Sequence, residues 1–489
     1  MKFNGVMMQY FEWNLPVNML WKQLRDEAGA LAQAGISAIW IPPAFKGAGG
    51  VNDQGYGVYD LYDLGEFDQK GAIATKYGTR EELLEAIRAV KREGLDIYAD
   101  IVLDHRMGAD GQEVVQAEEY NAENRLEKEG ELREISAWTH FFFPGRKGKY
   151  SDFEWHWQHF TGIDYDEKND TEGIFKFRGK YWEKQVDKEN GNFDYLMGAS
   201  LDLNNEDVKN ELVRWGKWFI ETTDPDGFRL DAVKHMKFTF FIEWLEAMRA
   251  ACGRDFFTVG EYWQRDLAAL KNYMDTTRGM MSLFDVPLHY KFYEASESFN
   301  TYDMRTIFDD TLTADNPDRA VTFVDNHDTQ PGQPLASWVQ DWFRPHAYAM
   351  ILLRQAGYPC VFYGDYYGLA QMEMPPMRER LLPLLQARKL YAYGRQRDYL
   401  DHPNTIGWTR EGDEEHVGSG LAVLLTNGSE GEKLMHVGKK HAGARFRDIT
   451  GNVRDPVEVG EDGNGLFKVA SGSVSVWADI ERHPATSAG

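Results

Sequence analysis

Short apolar runs rich in β-forming residues recur along the chain, separated by stretches with helical periodicity. The runs cover residues 6–11, 36–41, 95–103, 227–231, 256–261, 281–286, 321–324 and 360–363. Between them, Leu83, Leu84, Ile87 and Val90 fall on one helical face, as do Phe238, Phe241, Ile242 and Leu245. Eight strands alternating with helices predict a (β/α)8 barrel, an α/β fold of the TIM type. The continuous apolar character of several runs suits strands buried on both faces. Two regions break the alternation. Residues 104–206 are rich in Gly, Trp, Phe and charge and too long for a structureless loop, so they predict a domain inserted after strand three. From residue 397 the pattern turns to short alternating strands with turns at Asn427-Gly428 and Asp462-Gly463, which predicts a C-terminal antiparallel β-sandwich. The expected division is 1–103 and 207–396 for the barrel, 104–206 for the insert and 397–489 for the sandwich. The last six residues read as a loose tail.

Composition narrows the partners. Of 489 residues, 43% are apolar and 27% charged, a balance that supports a sizeable core rather than disorder. The net charge of −24 repels phosphate backbones and anionic lipid, which argues against nucleic acid and membrane surfaces and for a neutral polymer or a cation. Aromatic residues make up 14%; core packing accounts for most, and stacking on the CH faces of sugars is their second use. No run of eighteen apolar residues exists, so no transmembrane helix is expected. Cys252 and Cys360 have no metal-site spacing and read as free thiols, Cys360 as a small buried hydrophobe. Met1-Lys2-Phe3-Asn4-Gly5 lacks the apolar run and cleavage site of a signal peptide, so the chain is expected to be cytoplasmic or a mature form with an added Met.

Candidate chemistry gathers where strands end. Strand three opens with Asp100 and ends in Asp104-His105; strand four leads through Arg229 to Asp231, Lys234 and His235; strand five ends in Gly260-Glu261; strand seven ends in Asp325-Asn326-His327-Asp328. In such barrels the C-terminal strand ends form the active site. Cleavage of an acetal needs a carboxylate beside the oxocarbenium-like carbon, and a retaining mechanism needs a nucleophilic carboxylate plus an acid/base carboxyl. Arg229, two residues before Asp231 on one strand, points to the same side and keeps Asp231 ionised. Glu261, partly desolvated behind Val259-Gly260, gains the raised pKa of a general acid. A lone strand-end Asp, such as Asp328 before Thr329, can be a loop cap; five converging groups are not explained by capping.

At these residues the chain resembles the α-amylase family, retaining glycoside hydrolases of α-glucans. The matching motifs are residues 100–105, 227–235, 260–263 and 323–328, with further likeness at 8–13, 55–64 and 472–477. It looks most like the bacterial liquefying enzymes and their intracellular relatives, with the intracellular branch nearer through 192–198. The resemblance implies an endo-acting hydrolase of starch, glycogen or maltodextrins. Asp231 would be its nucleophile, Glu261 its acid/base and Asp328 the group that grips two sugar hydroxyls. It also implies sugar contacts at Tyr56, His105, His235 and His327, leaving-side contacts at Lys234 and Trp263, and a monomer. One structural Ca2+ is implied at Asp104, Asp194, Ser200 and the His235 carbonyl, with Asp202 nearby. Relatives carry Asn at 104 and Asp at 200, so one carboxylate is gained and one lost. Thr161, Glu183, Asn404 and Asn427 stand at positions of secondary metals that are expected to be empty. A transglycosylase could use the same trio, and a non-catalytic glucan binder would lack one of its members; none is missing.

Overall fold

The computed structural model describes residues 4–254 and 256–481; the tail at 484–489 lies outside them. Each of the eight apolar runs overlaps one strand: β1 (Met7–Gln9), β2 (Ala38–Ile41), β3 (Asp96–Ile101), β4 (Gly227–Leu230), β5 (Phe257–Gly260), β6 (Ser282–Phe284), β7 (Ala320–Phe323) and β8 (Tyr358–Phe362), the last two starting one and two residues before their runs. They pair in parallel in chain order and close into a barrel through β1 and β8. Strand three runs from Asp96 to Ile101, so Asp100 is its penultimate residue rather than its first, and Asp104-His105 lies beyond its end.

Local sequence explains the surrounding helices. Helix Arg80–Arg92 starts on a Thr79/Glu82 capping box, carries acids in its first turn and Lys91 and Arg92 in its last, and buries Leu83, Ala86, Ile87, Ala89 and Val90. Helix Phe240–Cys252 stops at Gly253 with φ 69°, where a left-handed residue satisfies the last carbonyls. Phe238 precedes that helix instead of belonging to its face. It packs edge-on against Tyr262 and Tyr273.

Between β3 and β4 the chain builds a six-stranded antiparallel sheet, ordered His105–Arg106, Ala199–Leu201, Phe160–Asp166, Thr171–Phe177, Gly111–Tyr120 and Arg133–His140. Its first and last strands in sequence pair with each other, Ser200 opposite His105. The insertion therefore leaves and re-enters the barrel at one clamped point, just beyond the end of β3.

The C-terminal sheet is wedged between two apolar surfaces. Along strand Leu421–Thr426, Leu421, Val423 and Leu425 face the barrel core, while Ala422 and Leu424 join Met435, Phe446, Phe467 and Trp477 beneath a two-stranded sheet. A strand buried on both faces reads as an unbroken apolar run, which is what 421–425 shows. Both cysteines are free thiols. Among the described residues no helix is long and apolar enough to cross a membrane.

Gly227 opens β4 at a close approach to β5 and β3. A Cβ on Gly227 would sit 2.4 Å from the Phe257 carbonyl oxygen and 2.7 Å from Tyr98. Gly227→Ala is expected to destabilise the protein by about 1–3 kcal/mol. Gly29→Ala, in helix Leu20–Ala34 where the new methyl meets nothing nearer than 3.5 Å, should stabilise by about 0.5–1 kcal/mol. Thermal melts of the two variants should move in opposite directions; an unchanged midpoint for Gly227→Ala shows that the β4–β5 contact relaxes.

Candidate active site

Parallel register sets the first contact. Arg229 on β4 lies beside Asp100 on β3 and Val259 on β5, one residue before Leu230 pairs with Gly260. The buried guanidinium therefore reaches three carboxylates: Asp100 at 2.7 Å, Asp231 at 2.6 Å and Glu261 at 2.8 Å. Asp100 is held from its other oxygen by Trp40 Nε1 at 3.0 Å and the Tyr56 hydroxyl at 2.8 Å. Just after β4, Ala232 turns left-handed with φ 50°, a conformation that costs about 1–2 kcal/mol in a residue with a Cβ. That turn aims its N–H at Glu261 Oε2, 3.1 Å away. Both fixed contacts of Glu261 thus fall on one oxygen, while Asp231 is held through Oδ1 alone.

One guanidinium among several carboxylates leaves an excess of negative charge in a dry site, so protons are retained. Burial pushes Asp231 up to about 6, with Arg229 pulling down and Asp100 adding to the rise. Burial also raises Glu261, opposed by Arg229 and reinforced by Asp231. Asp328 rises well above the carboxylate range through burial and the charge of Glu261. An ionised carboxylate and a protonated carboxyl side by side form an acid–nucleophile pair.

Asp328 is free of the capping duty its position suggested. Asn326 caps that turn instead, its Oδ1 accepting from the N–H groups of Asp328 and Thr329, both at 2.9 Å. The Asp328 carboxylate is left 3.4 Å from His327 Nε2. His327 in turn meets the Gln9 amide through Nδ1 at 3.0 Å, and burial keeps its ring neutral. Trp13, Tyr56 and His327 stand with nearly parallel rings, Tyr56 to His327 at 5.1 Å and 13° and Trp13 to Tyr56 at 5.9 Å and 8°. Trp13, Gln9 and Trp40 were not singled out as site residues from sequence. The usable signal was their place at or just beyond the ends of β1 and β2.

The remaining expected site residues divide. Lys234 is tied to Glu189 at 2.7 Å and to the Trp263 carbonyl at 3.1 Å, and Trp263 donates to the Tyr290 hydroxyl. His235 donates from Nδ1 to the Phe193 carbonyl at 2.9 Å, and burial lowers its pKa to about 3. His105 has no spare ring nitrogen. Nδ1 faces Asp104 at 3.1 Å and Nε2 the Tyr56 carbonyl at 2.8 Å. Burial opposes a charge there, but Asp104 and the carbonyl outweigh it and raise the pKa.

Asp104 and Asp194 are buried carboxylates that, among the described residues, have no lysine or arginine partner in hydrogen-bond contact. Burial pushes Asp194 up to about 8, with the charges of Asp104, Glu183 and Asp202 adding. A buried all-oxygen set with surplus negative charge fits a hard divalent cation. Ser200 lies on the strand beside His105, bringing its segment to the same place. Asp202 is instead taken by Lys180 at 2.6 Å, and Glu183 faces Lys237 at 4.0 Å. At the junction of barrel and C-terminal domain, Asn427 Nδ2 donates to the carbonyls of Phe299 and Tyr302, both at 2.9 Å. Asn404 Nδ2 donates to the Asn300 carbonyl at 2.7 Å and to Asn427 Oδ1 at 2.9 Å. Amide N–H groups thus fill the place that a cation between carboxylates and carbonyls would take.

A closed (β/α)8 barrel whose adjacent strand ends set carboxylates around one buried arginine carries the paired acids that a glycoside hydrolase needs. Comparison with known proteins specifies which. Residues 29–411 match the alpha amylase catalytic domain and residues 421–478 the alpha-amylase C-terminal domain. The chain belongs to the α-amylase family. It is 57% identical over 478 residues to the alpha-amylase of Geobacillus stearothermophilus, covering 97% of this chain and 87% of that protein. It is 51% identical to the alpha-amylase of Bacillus licheniformis, covering 97% and 93%. It is 43% identical to the cytoplasmic alpha-amylase of Escherichia coli, covering 97% and 98%. The expected nearness to the intracellular branch is therefore corrected: residues 192–198 are a short stretch, and identity over the whole chain outweighs them. In fold, it superposes on the alpha-amylase of Geobacillus thermoleovorans solved with acarbose, with a TM-score of 0.65 at 18% identity over 97% and 98% of the two chains.

If the ionised form of Asp231 is the one that reacts, kcat/KM on a chromogenic maltooligosaccharide should fall as pH drops through about 6. Arg229→Lys keeps a charge but loses the planar fork that spans three carboxylates, and should lower kcat/KM by about 10²-fold or more. A lysine variant with native turnover would show that charge alone organises the site.

Proposed function

We propose that the protein is an endo-acting α-amylase that hydrolyses internal α-1,4-glucosidic bonds of starch, glycogen or maltodextrins with retention of configuration. The single observation that carries this reading is the Arg229 fork, which ties Asp231 and Glu261 to one guanidinium at 2.6 and 2.8 Å. Asp231 attacks the anomeric carbon as the glycosidic bond breaks, while Glu261 gives its proton to the leaving oxygen. Water then enters, Glu261 takes back a proton, and the ester to Asp231 is cleaved. Asp328 holds sugar hydroxyls where positive charge develops, and its protonated form donates a hydrogen bond. Tyr56, backed by Trp13 and His327, offers a flat wall for a sugar on the non-reducing side. Lys234, His235 and Trp263 serve the leaving side. His105 positions Tyr56 through its carbonyl.

Calcium is assigned to Asp104 and Asp194 with Ser200 and the His235 carbonyl, in the part of the insert that re-enters the barrel; Asp202, paired with Lys180 at 2.6 Å, stands outside this group. When bound, the ion neutralises the buried acids and ties insert to barrel. The amide contacts of Asn404 and Asn427 support a junction that needs no second ion. The chain divides into barrel (1–103 and 207–396), insert (104–206) and C-terminal domain (397–489). A cytoplasmic, monomeric enzyme is the proposed state, supported by the likeness to the Escherichia coli cytoplasmic protein; activity found mainly in the culture medium would overturn that location.

Asp231→Asn, Glu261→Gln and Asp328→Asn should each lower kcat by about 10²–10⁴-fold or more. Early proton NMR of a maltooligosaccharide digest should show the α-anomer first; a β-anomer burst sinks the double displacement. Products lengthened or branched rather than new reducing ends would point to transglycosylation.

Stripping metal with EDTA should lower Tm, and Ca2+ alone should restore it, because a ligand bound only by the folded state adds RT ln(1 + [L]/Kd) to stability. Calorimetry should find about one tight Ca2+ site. Two or more tight sites, or no effect of chelation, would contradict the assignment.

A further inference from the structure

The outermost strand of the inserted sheet, Arg133–His140, ends in a second cluster remote in chemistry from the carboxylate site. Phe141 pairs with Trp155 in an antiparallel bridge, with backbone hydrogen bonds of 2.9 Å in both directions. Both side chains are buried, which fixes the bridge from one face. The same register sets His140 opposite His156 and Glu154 two residues away on that side, so all three project to the other face. The two imidazoles stack with centroids 4.4 Å apart at 20°. Glu154 Oε2 lies 3.1 Å from His140 Nε2 and 3.9 Å from His156 Nε2. Among the described residues, these three form the group whose ligand atoms all lie within 4.8 Å of one another.

The spacing matches a small tetrahedral ion. Zinc bonds of about 2.0–2.1 Å place neighbouring ligand atoms about 3.3–3.4 Å apart, between the two separations found here. A layer behind the rings prepares one of them. Glu113 Oε1 takes His156 Nδ1 at 3.1 Å, while its Oε2 is pinned by the Trp157 N–H and the Thr139 hydroxyl, both at 2.7 Å. A histidine whose Nδ1–H is held by a fixed carboxylate presents the lone pair of Nε2, the arrangement behind many metal-ligating histidines. An ion pair between His140 and Glu154 needs neither the second ring nor its locked tautomer.

We propose that His140 Nε2, His156 Nε2 and the Glu154 carboxylate bind one borderline divalent transition-metal ion, zinc by preference, with water in the fourth position. Two imidazole donors select against Ca2+, which takes oxygen ligands in larger number. The ion enters readily, because the His140, His156 and Glu154 side chains are 30%, 39% and 52% exposed. Its effect is to staple the free edge strand of the insert to segment 154–156. This is a soft-donor site separate from the calcium set, and it does not depend on the catalytic reading.

The test uses the full chain, stripped of metal and returned to saturating Ca2+. Titration with Zn2+ should show one tight equivalent and a rise in Tm, and Co2+ should give the intense visible band of a tetrahedral site. His140→Gln and His156→Gln should each abolish the cobalt band and weaken Zn2+ binding by about 100-fold or more. Glu113→Gln, which touches no metal, should weaken it by about 10–100-fold. Melts in Ca2+ without zinc that match wild type show that the variants lose ligands rather than fold. Failure of the wild-type chain to bind Zn2+, or equal Zn2+ binding by wild type and the two histidine variants, overturns the proposal.

Discussion

The site depends on one buried guanidinium. Arg229 lies within 2.8 Å of Asp100, Asp231 and Glu261, on three neighbouring strands. Removing such a group would leave several carboxylates in a dry interior with no counter-charge, which is far more costly than losing an exposed ion pair. Its charge is too small for all the acids that surround it. That deficit and the burial of the groups raise Asp231, Glu261 and Asp328 together above the ordinary carboxylate range. Trp40 and Tyr56 lock Asp100 so that it cannot swing away from the same guanidinium.

Rigid surroundings hold this arrangement in place. The left-handed turn at Ala232 stores backbone strain beside Asp231 and returns an N–H to Glu261. The strain persists because β4 is hydrogen-bonded on both sides within a closed barrel. The insert enters and leaves at His105 and Ser200, so its position is coupled to the Tyr56 wall through the His105 ring. Movement of the insert would reach the stacked Tyr56, Trp13 and His327 rings through that ring.

Charge at the domain joints is handled in different ways. Buried Asp104 and Asp194 leave an oxygen-rich, negative pocket suited to a hard cation, whereas Asp202 already has the Lys180 ammonium. Asn427 and Asn404 supply hydrogen-bond donors to backbone carbonyls without any added charge. Exchanging a carboxylate for an amide at such a joint replaces an ion-dependent contact by one encoded in the chain itself. On the edge of the insert, His140 and His156 bring nitrogen donors instead, a different ligand chemistry within the same sheet.

By itself the sequence determined the barrel, because eight apolar runs spaced by helical periodicity have few other ways to bury themselves. It also determined the candidate trio, because strand ends in this fold share one mouth and the period of two puts Arg229 and Asp231 on one side. Phe238 was misread as helical because apolar spacing does not mark where a helix begins. Asp328 was ambiguous because a strand-end Asp and a cap look alike; only the turn revealed Asn326 as the cap. Trp13 and Gln9 gain meaning from His327, more than 300 positions away, and the His140–His156 pair from an antiparallel register between separate segments. Tertiary structure alone decided these, along with the engaged nitrogens of His105 and the three-way reach of Arg229. Side-chain periodicity is a local property of the chain, whereas hydrogen-bond partners, burial and register depend on which distant segments folding brings into contact.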